Sequence, residues 1–246
     1  MKNLSIIIST IAIVLATTSL IVSFKTPTSG VSGKAAVLTQ ADLTNLLNEN
    51  PKIVVDAMEA YQVKQQEEAE RAANEALEKY AEEINSTANV PFVGNPDAKV
   101  TVVEFFDFSC GYCIRLAPHL EKAIANNPDV KFVFKPLTFL GAMSVYKAKA
   151  ALAANKQGKF LEFYSKAMGG DLGDESSIDA MAKEIGLDMD AYSKDMTSPE
   201  VQNALDEVSN LAQNIHVNGV PTLILNGKKI NAYDADAIQQ VIDEAK

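Results

Sequence analysis

Cys110 and Cys113 are the only cysteines of the chain, and two residues separate them in "FFDFSCGYCIRLAPHL", Phe105 to Leu120. Such a pair can be a staple, part of a metal site or a reactive dithiol. A structural disulfide across so short a loop gains little chain entropy. A zinc site needs about four N, S or O ligands. Only His119 and His216 could join the cysteines, and no C-x2-C…H-x3-H spacing exists. The histidines read as surface or cap residues, and no metal or other cofactor is expected. Neither histidine is placed by motif to make Cys110 a protease nucleophile. The reactive pair has a mechanism. Cys110 follows a strand and begins a helix, where unsatisfied N–H groups and the positive end of the helix dipole stabilise a thiolate. Cys113, one turn in, is expected to be more buried and less acidic. Cys110 then attacks, and Cys113 resolves the mixed disulfide. Gly111 and Tyr112 are expected to keep the turn tight and to leave one aromatic facing the entrance.

The flanking elements must place that pair. "KVTVVEFFDF" is β-branched and aromatic on both faces, which suits a central strand. "CIRLAPHLEKAIANN" reads as a helix kinked at Pro118, and "VKFVFKP" as another buried strand. Residues 142–215 are helical, in segments separated by "GGDLGD", "GLDMD" and "TSPE". "VPTLILNGKKINA" reads as a hairpin, with Asn226–Gly227 in a type I′ turn. "DADAIQQVIDEA" closes the chain as an amphipathic helix capped by Asp234 or Asp236. The order is β-α-β, a helical block, then β-β-α, which is an α/β fold.

Upstream, Thr39 and Asp42 form a capping-box pattern before a short helix with Leu43, Leu46 and Leu47. A long segment without Gly or Pro follows Pro51 and reads as one helix to about residue 85. Its ends are apolar (Ile53, Val54, Ala57, Met58, Tyr61, then Ala73, Ala76, Leu77, Tyr80). Residues 56–83 carry nine acids against three bases. The segment is read as an oligomerisation arm whose apolar ends pack on a sister chain, with a solvated spacer as the alternative.

The chain has 246 residues, 47% of them hydrophobic, and a net charge of -10. The chain after residue 30 carries 20 basic and 32 acidic residues. That balance argues against nucleic acid and against docking on anionic lipid. Lys2 precedes an uncharged apolar stretch, Leu4 to Phe24, read as a cleaved export signal within residues 1–30 or as an uncleaved inner-membrane anchor. Residues 25–37 read as a linker. Either way the remainder is exported to the periplasm or cell envelope, where disulfides persist.

"VVEFFDFSCGYC" with "GVPT" resembles the thioredoxin superfamily, in particular the DsbA-type envelope thiol-disulfide oxidoreductases. The resemblance covers residues 89–246. It implies a thioredoxin-like fold, with residues 142–215 as its helical insertion and residues 31–88 as a separate helical arm. It also implies that the Val220–Pro221 bond is cis and lies beside the active pair. Glu104, six residues before Cys110, matches the family's buried carboxylate, which moves the proton of the second cysteine. Gly111, Tyr112, Val220 and Pro221 would meet substrate. Two features depart from DsbA. Gly-Tyr stands where strongly oxidising members have Pro-His, as in DsbC-type isomerases, yet Val220 replaces the Thr usual before the proline of DsbC. Pro118 is a thioredoxin feature. The mixture, with a helical extension, is similar to ScsC-like and Com1-like members. The redox potential is expected between about −270 mV, as in thioredoxin, and about −120 mV, as in DsbA.

The expected function is forming or isomerising disulfides in unfolded or misfolded exported proteins, as a homo-oligomer recharged by a membrane redox partner. One alternative is a monomeric dithiol oxidase with the arm as spacer. Another, from a different class, is a non-catalytic envelope scaffold or chaperone.

Overall fold

The computed structural model describes residues 39–170 and 172–246. The stretch read as export signal or anchor and the stretch read as linker lie outside the described residues. Among those described, no helix is long and apolar enough to cross a membrane. The described residues divide into two units, one up to Asp56 and one from Ala57 onward.

The first unit contains helix α1 (Gln40–Glu49) and the start of α2 (Lys52–Lys79). The capping box forms as read: Thr39 Oγ1 accepts from Asp42 N, and Asp42 Oδ2 accepts from Thr39 N. No residue of α1 is buried.

The second unit is built on a five-stranded sheet in the order β1-β3-β2-β4-β5. Its strands are β1 (Phe92–Gly94), β2 (Thr101–Phe106), β3 (Lys131–Pro136), β4 (Thr222–Leu225) and β5 (Lys228–Ile230). β2 and β3 are parallel and joined by α4 (Gly111–Asn126), while β1, β4 and β5 pair antiparallel with their neighbours. Every residue of β2 is buried. A strand apolar on both faces is favourable only in a central position, and β2 occupies one. Asn226 and Gly227 both have positive φ, which makes the β4–β5 turn type I′.

Helices cover both faces. On one face Val102, Phe106, Phe132, Phe134 and Leu223 pack with α4, with α5 (Ala142–Lys156) to α8 (Met189–Met196), and with α10 (Ala235–Ala245). On the other, Val103, Phe105, Val133 and Ile224 pack against α9 (Pro199–Asn214) and against Leu77 of α2 and Ile84 of α3 (Ala81–Asn85). Between α5 and α8 lie α6 (Phe160–Gly169) and α7 (Glu175–Glu184). Asp234 is the N-cap of α10, accepting from Asp236 N and Ala237 N.

Two readings change and two features were missed. The single long helix breaks at Tyr80, which lies between α2 and α3. Its second apolar end is not free for a sister chain: Leu77 is buried and Tyr80 packs with it against the protein's own sheet. The first end, with Ile53, Val54, Val55, Met58, Tyr61 and Val63, is exposed. Strand β1 was not legible, nor was the break between α5 and α6 at residues 157–159.

Candidate active site

β2 delivers the chain to the reactive turn. After Phe106, the buried Asp107 folds back: its Oδ1 accepts from Ser109 N at 2.8 Å, and its carbonyl accepts from Cys110 N at 3.0 Å. Cys110 then sits with extended backbone (φ -85, ψ 117) as the N-cap of α4. Its carbonyl opens the helix ladder by accepting from Ile114 N. The sulfur therefore stands at the end of the helix where N–H groups lack partners. Gly111 does not have a left-handed φ. A Cβ there would meet only Arg115 Nη1, at 3.9 Å, so the turn itself does not demand glycine.

The two thiols are both free and lie in different environments. Cys110 retains 7% exposure, while Cys113 has none. Burial drives the Cys113 thiol far above its usual range, and the nearby charge of Glu104 pushes the same way, against a backbone hydrogen bond from Asp107. Tyr112 is 69% exposed, and the Arg115 guanidinium lies 4.3 Å from its ring centre.

Across from the helix tip, the Val220–Pro221 bond is cis. The Cys110 thiol donates to the Val220 carbonyl at 3.4 Å. The loop thus faces the attacking sulfur with a backbone acceptor. Tyr112, Arg115, Leu116, Val220, Pro221 and Tyr233 line part of a groove of about 550 Å³ beside this contact. On the other side, Asp107 Oδ2 accepts from Leu140 N at 3.2 Å, holding the exposed Phe139 and Leu140 at the turn.

Beneath the pair lies Glu104, only 1% exposed in the middle of β2. Burial raises its carboxyl to about 8, opposed by a hydrogen bond from Tyr164. Tyr164 Oη donates to Glu104 Oε2 at 3.0 Å, while Oε1 is buried without a partner. A carboxyl in this state can take or give a proton near neutral pH.

A model of the DSBA-like thioredoxin domain matches residues 101–244. The chain belongs to the DSBA-like thioredoxin domain family. It is therefore a thiol-disulfide oxidoreductase in its general class. A relative named probable disulfide bond formation protein D, from Bacillus cereus, is 30% identical over 166 residues, covering 62% of this chain and 76% of that protein. Among solved structures, a thioredoxin-like oxidoreductase from Silicibacter pomeroyi is 34% identical with a TM-score of 0.61, over 66% of this chain and 95% of that one. Proteus mirabilis ScsC, in a transitional conformation, is 27% identical with a TM-score of 0.63, over 84% of this chain and 94% of that one. The segment also matches Na(+)/H(+) antiporters such as NhaA 1 of Salinispora arenicola, of which the chain spans 24%.

Within this DSBA-like domain, the structure brings Cys110, Cys113, Gly111, Tyr112, Val220 and Pro221 together where β2 ends and β4 begins, with Glu104 below. His119 is half-buried on α4, and His216 is exposed with a positive φ after α9. Among the described residues no cluster of three His, Cys, Asp or Glu side chains could hold a metal. Two site neighbours escaped the sequence reading. Asp107 left a weak signal, as an acid two residues before a Ser-Cys turn. Tyr164 left none, because it lies 60 residues from Glu104 on a helix of the insertion.

Proposed function

We propose that this protein forms or isomerises disulfides in exported polypeptides through the Cys110–Cys113 pair. The carrying observation is the contrast between the thiols. Cys110 stands at a helix N-terminus against the Val220 carbonyl and an open groove, whereas Cys113 is sealed beside Glu104. In the isomerising or reducing direction the Cys110 thiolate attacks one sulfur of a substrate disulfide, and the other sulfur leaves with the electron pair. Cys113 then attacks Cys110, closing the protein disulfide and releasing the substrate thiol. Oxidation of a substrate dithiol runs the same steps in reverse, and the reduced pair is recharged by a membrane redox partner. Gly111, Tyr112, Val220 and Pro221 flank the bound segment of substrate, and Phe139 and Leu140 widen the apolar surface around it.

The reading places the protein in the cell envelope, with residues 4–24 as export signal or anchor, and makes it a homo-oligomer through the exposed end of the arm. Two observations bear on direction. The Bacillus relative is named for disulfide formation, which favours an oxidase. The exposed apolar side chains within residues 53–63 favour an oligomer and hence an isomerase.

Trapping tests the assignment. Cys113→Ser should accumulate long-lived mixed disulfides with unfolded substrate, visible on non-reducing gels, because the resolving thiol is gone. Cys110→Ser should form none. Faster alkylation of Cys113 than of Cys110 would reverse the roles; an insulin-reduction activity abolished by Cys110→Ala would dismiss the scaffold or chaperone alternative, and no such activity in the wild-type chain would favour it.

A further inference from the structure

Among the described residues, one side chain holds Glu104. Its neighbours in the sheet register are Phe134 on β3 and Leu223 on β4, neither of which can bond it. The polar and titratable groups around it come from elsewhere: Cys110 and Cys113 from α4 and its cap, Asp107 from the turn, and Tyr164 from α6, with Glu121 of α4 acting on Tyr164. Of these, Tyr164 alone makes a hydrogen bond to the carboxyl.

Tyr164 is itself immobilised. The ring is fully buried and meets Phe106, Phe108, Phe134 and Phe160, with ring centres 5.0 to 6.2 Å apart. An aromatic cage of this kind fixes the ring in one rotamer and the hydroxyl at one point. The hydroxyl bonds Oε2, and Oε1 has no partner. A carboxyl pinned at one oxygen exchanges protons at the other.

We propose that Tyr164 is a positioning residue for the proton transfer to Glu104: by holding Oε2 it presents Oε1 as the atom that exchanges a proton with Cys113. The proposal rests on Cys113 being the resolving thiol. In that step the Cys113 S–H bond breaks and its proton passes to Glu104 Oε1. The Cys113 sulfur then bonds Cys110 Sγ, the bond from Cys110 to the substrate sulfur breaks, and its electron pair leaves on that sulfur. The protein dithiol is oxidised and the substrate disulfide reduced. Losing a donor from a carboxylate favours its protonated form. Without the Tyr164 hydroxyl, Glu104 gives up its proton at higher pH, and resolution needs a higher pH too. The helical insertion is thereby wired to the chemistry of the two cysteines.

The test uses the full chain, reduced, with dithiobis-nitrobenzoate as the substrate disulfide. Two nitrobenzoate thiolates leave in sequence: the first reports attack by Cys110, the second resolution by Cys113. In Tyr164→Phe the first phase should keep its rate. The second should shift its pH midpoint up by about one unit and slow about tenfold at neutral pH. A fluorotyrosine placed at 164 keeps the ring and donates more strongly, so it should shift the midpoint down; it also serves should the phenylalanine variant fail to fold. In Glu104→Gln the midpoint should disappear, and adding Tyr164→Phe should change nothing more. A profile altered by Glu104→Gln but indifferent to both changes at 164 would leave Tyr164 as packing alone and overturn the proposal. A second phase indifferent to Glu104→Gln would instead overturn the proton-relay role itself, and the proposal with it.

Discussion

Glu104 carries a cost of burial that its one hydrogen bond only partly offsets. A carboxyl with no exposure to speak of, one hydrogen bond and one orphan oxygen is unfavourable to ionise. Its proton affinity rises from an ordinary 4.5 to about 8, chiefly through burial. The folded state therefore binds this proton more tightly than the unfolded chain does. The contribution is complete below about 4.5 and is lost as pH rises through about 8. Each pK unit is worth about 1.4 kcal/mol, so a few kcal/mol are at stake. Denaturant titrations of the dithiol form should show stability falling across that window, and Glu104→Gln, which keeps an acceptor for Tyr164, should flatten the fall. A wild-type curve already flat there would mean the carboxyl finds a partner in solution. This residue was legible before the structure because its position six residues before Cys110 matches the family's buried carboxylate, and a lone acid in an apolar strand is costly to bury. Cys110 and Cys113 were legible from type plus spacing, whereas Pro221 was legible only through the family resemblance carried by "VVEFFDFSCGYC" with "GVPT". Tyr164 was not, because its meaning lies in a contact that only the packing of α6 on β2 creates.

Elements were legible where a periodic pattern ran long enough. β2 and β3 declared themselves by apolar runs, the β4–β5 hairpin by Asn-Gly, and α10 by its aspartate cap. β1 did not, since Phe92–Gly94 is too short to show a period. What defines it is Gly94, whose φ is 93 and whose position leaves no room for a side chain: a Cβ would fall 1.9 Å from the Val130 carbonyl oxygen. That oxygen also accepts from Asn95 N at 3.3 Å, so it cannot simply withdraw. Gly94→Ala should therefore cost about 2 kcal/mol or more, from the clash and from the positive φ together. The loss should appear as a lower denaturant midpoint with accelerated hydrogen exchange along the outer edge of β3. A midpoint within error of wild type would show that β1 pairs with β3 loosely enough to move aside. The break at Tyr80 was hidden for the opposite reason. Residues 52–85 are helix formers throughout, and local propensity says nothing about where packing of Leu77 and Ile84 on the sheet redirects the chain.

For the molecule as a whole, the decisive segment is the first part of α2, residues 52–67, which buries nothing in a single chain. α2 spans 28 residues, about 42 Å at 1.5 Å each. Leu77 commits the far end to the protein's own sheet, while Ile53, Val54, Val55, Met58, Tyr61 and Val63 stay exposed. Exposed apolar side chains gathered along one stretch of helix mark an interaction surface. A second copy of the same helix is the simplest occupant, and it would bring two or more Cys110 sites around one substrate. Tethering raises the effective concentration of the second site to about the millimolar range. An isomerase gains from this, because it must break one disulfide and make another, whereas an oxidase acting once does not. We therefore expect a dimer or trimer by sedimentation. Removing residues 31–63 takes away the exposed end and keeps Leu77 and Ile84, so it should give a folded monomer. That monomer should keep the Cys110 phase with dithiobis-nitrobenzoate at the full rate, since every residue of the site lies beyond the cut. On scrambled ribonuclease its isomerase activity should fall about tenfold or more. Met58→Glu with Tyr61→Glu should do the same in the uncut chain, by placing like charges where copies would meet. A full chain that already sediments as a monomer, or a truncated one that isomerises as well as its parent, would make the arm a spacer and the protein a dithiol oxidase.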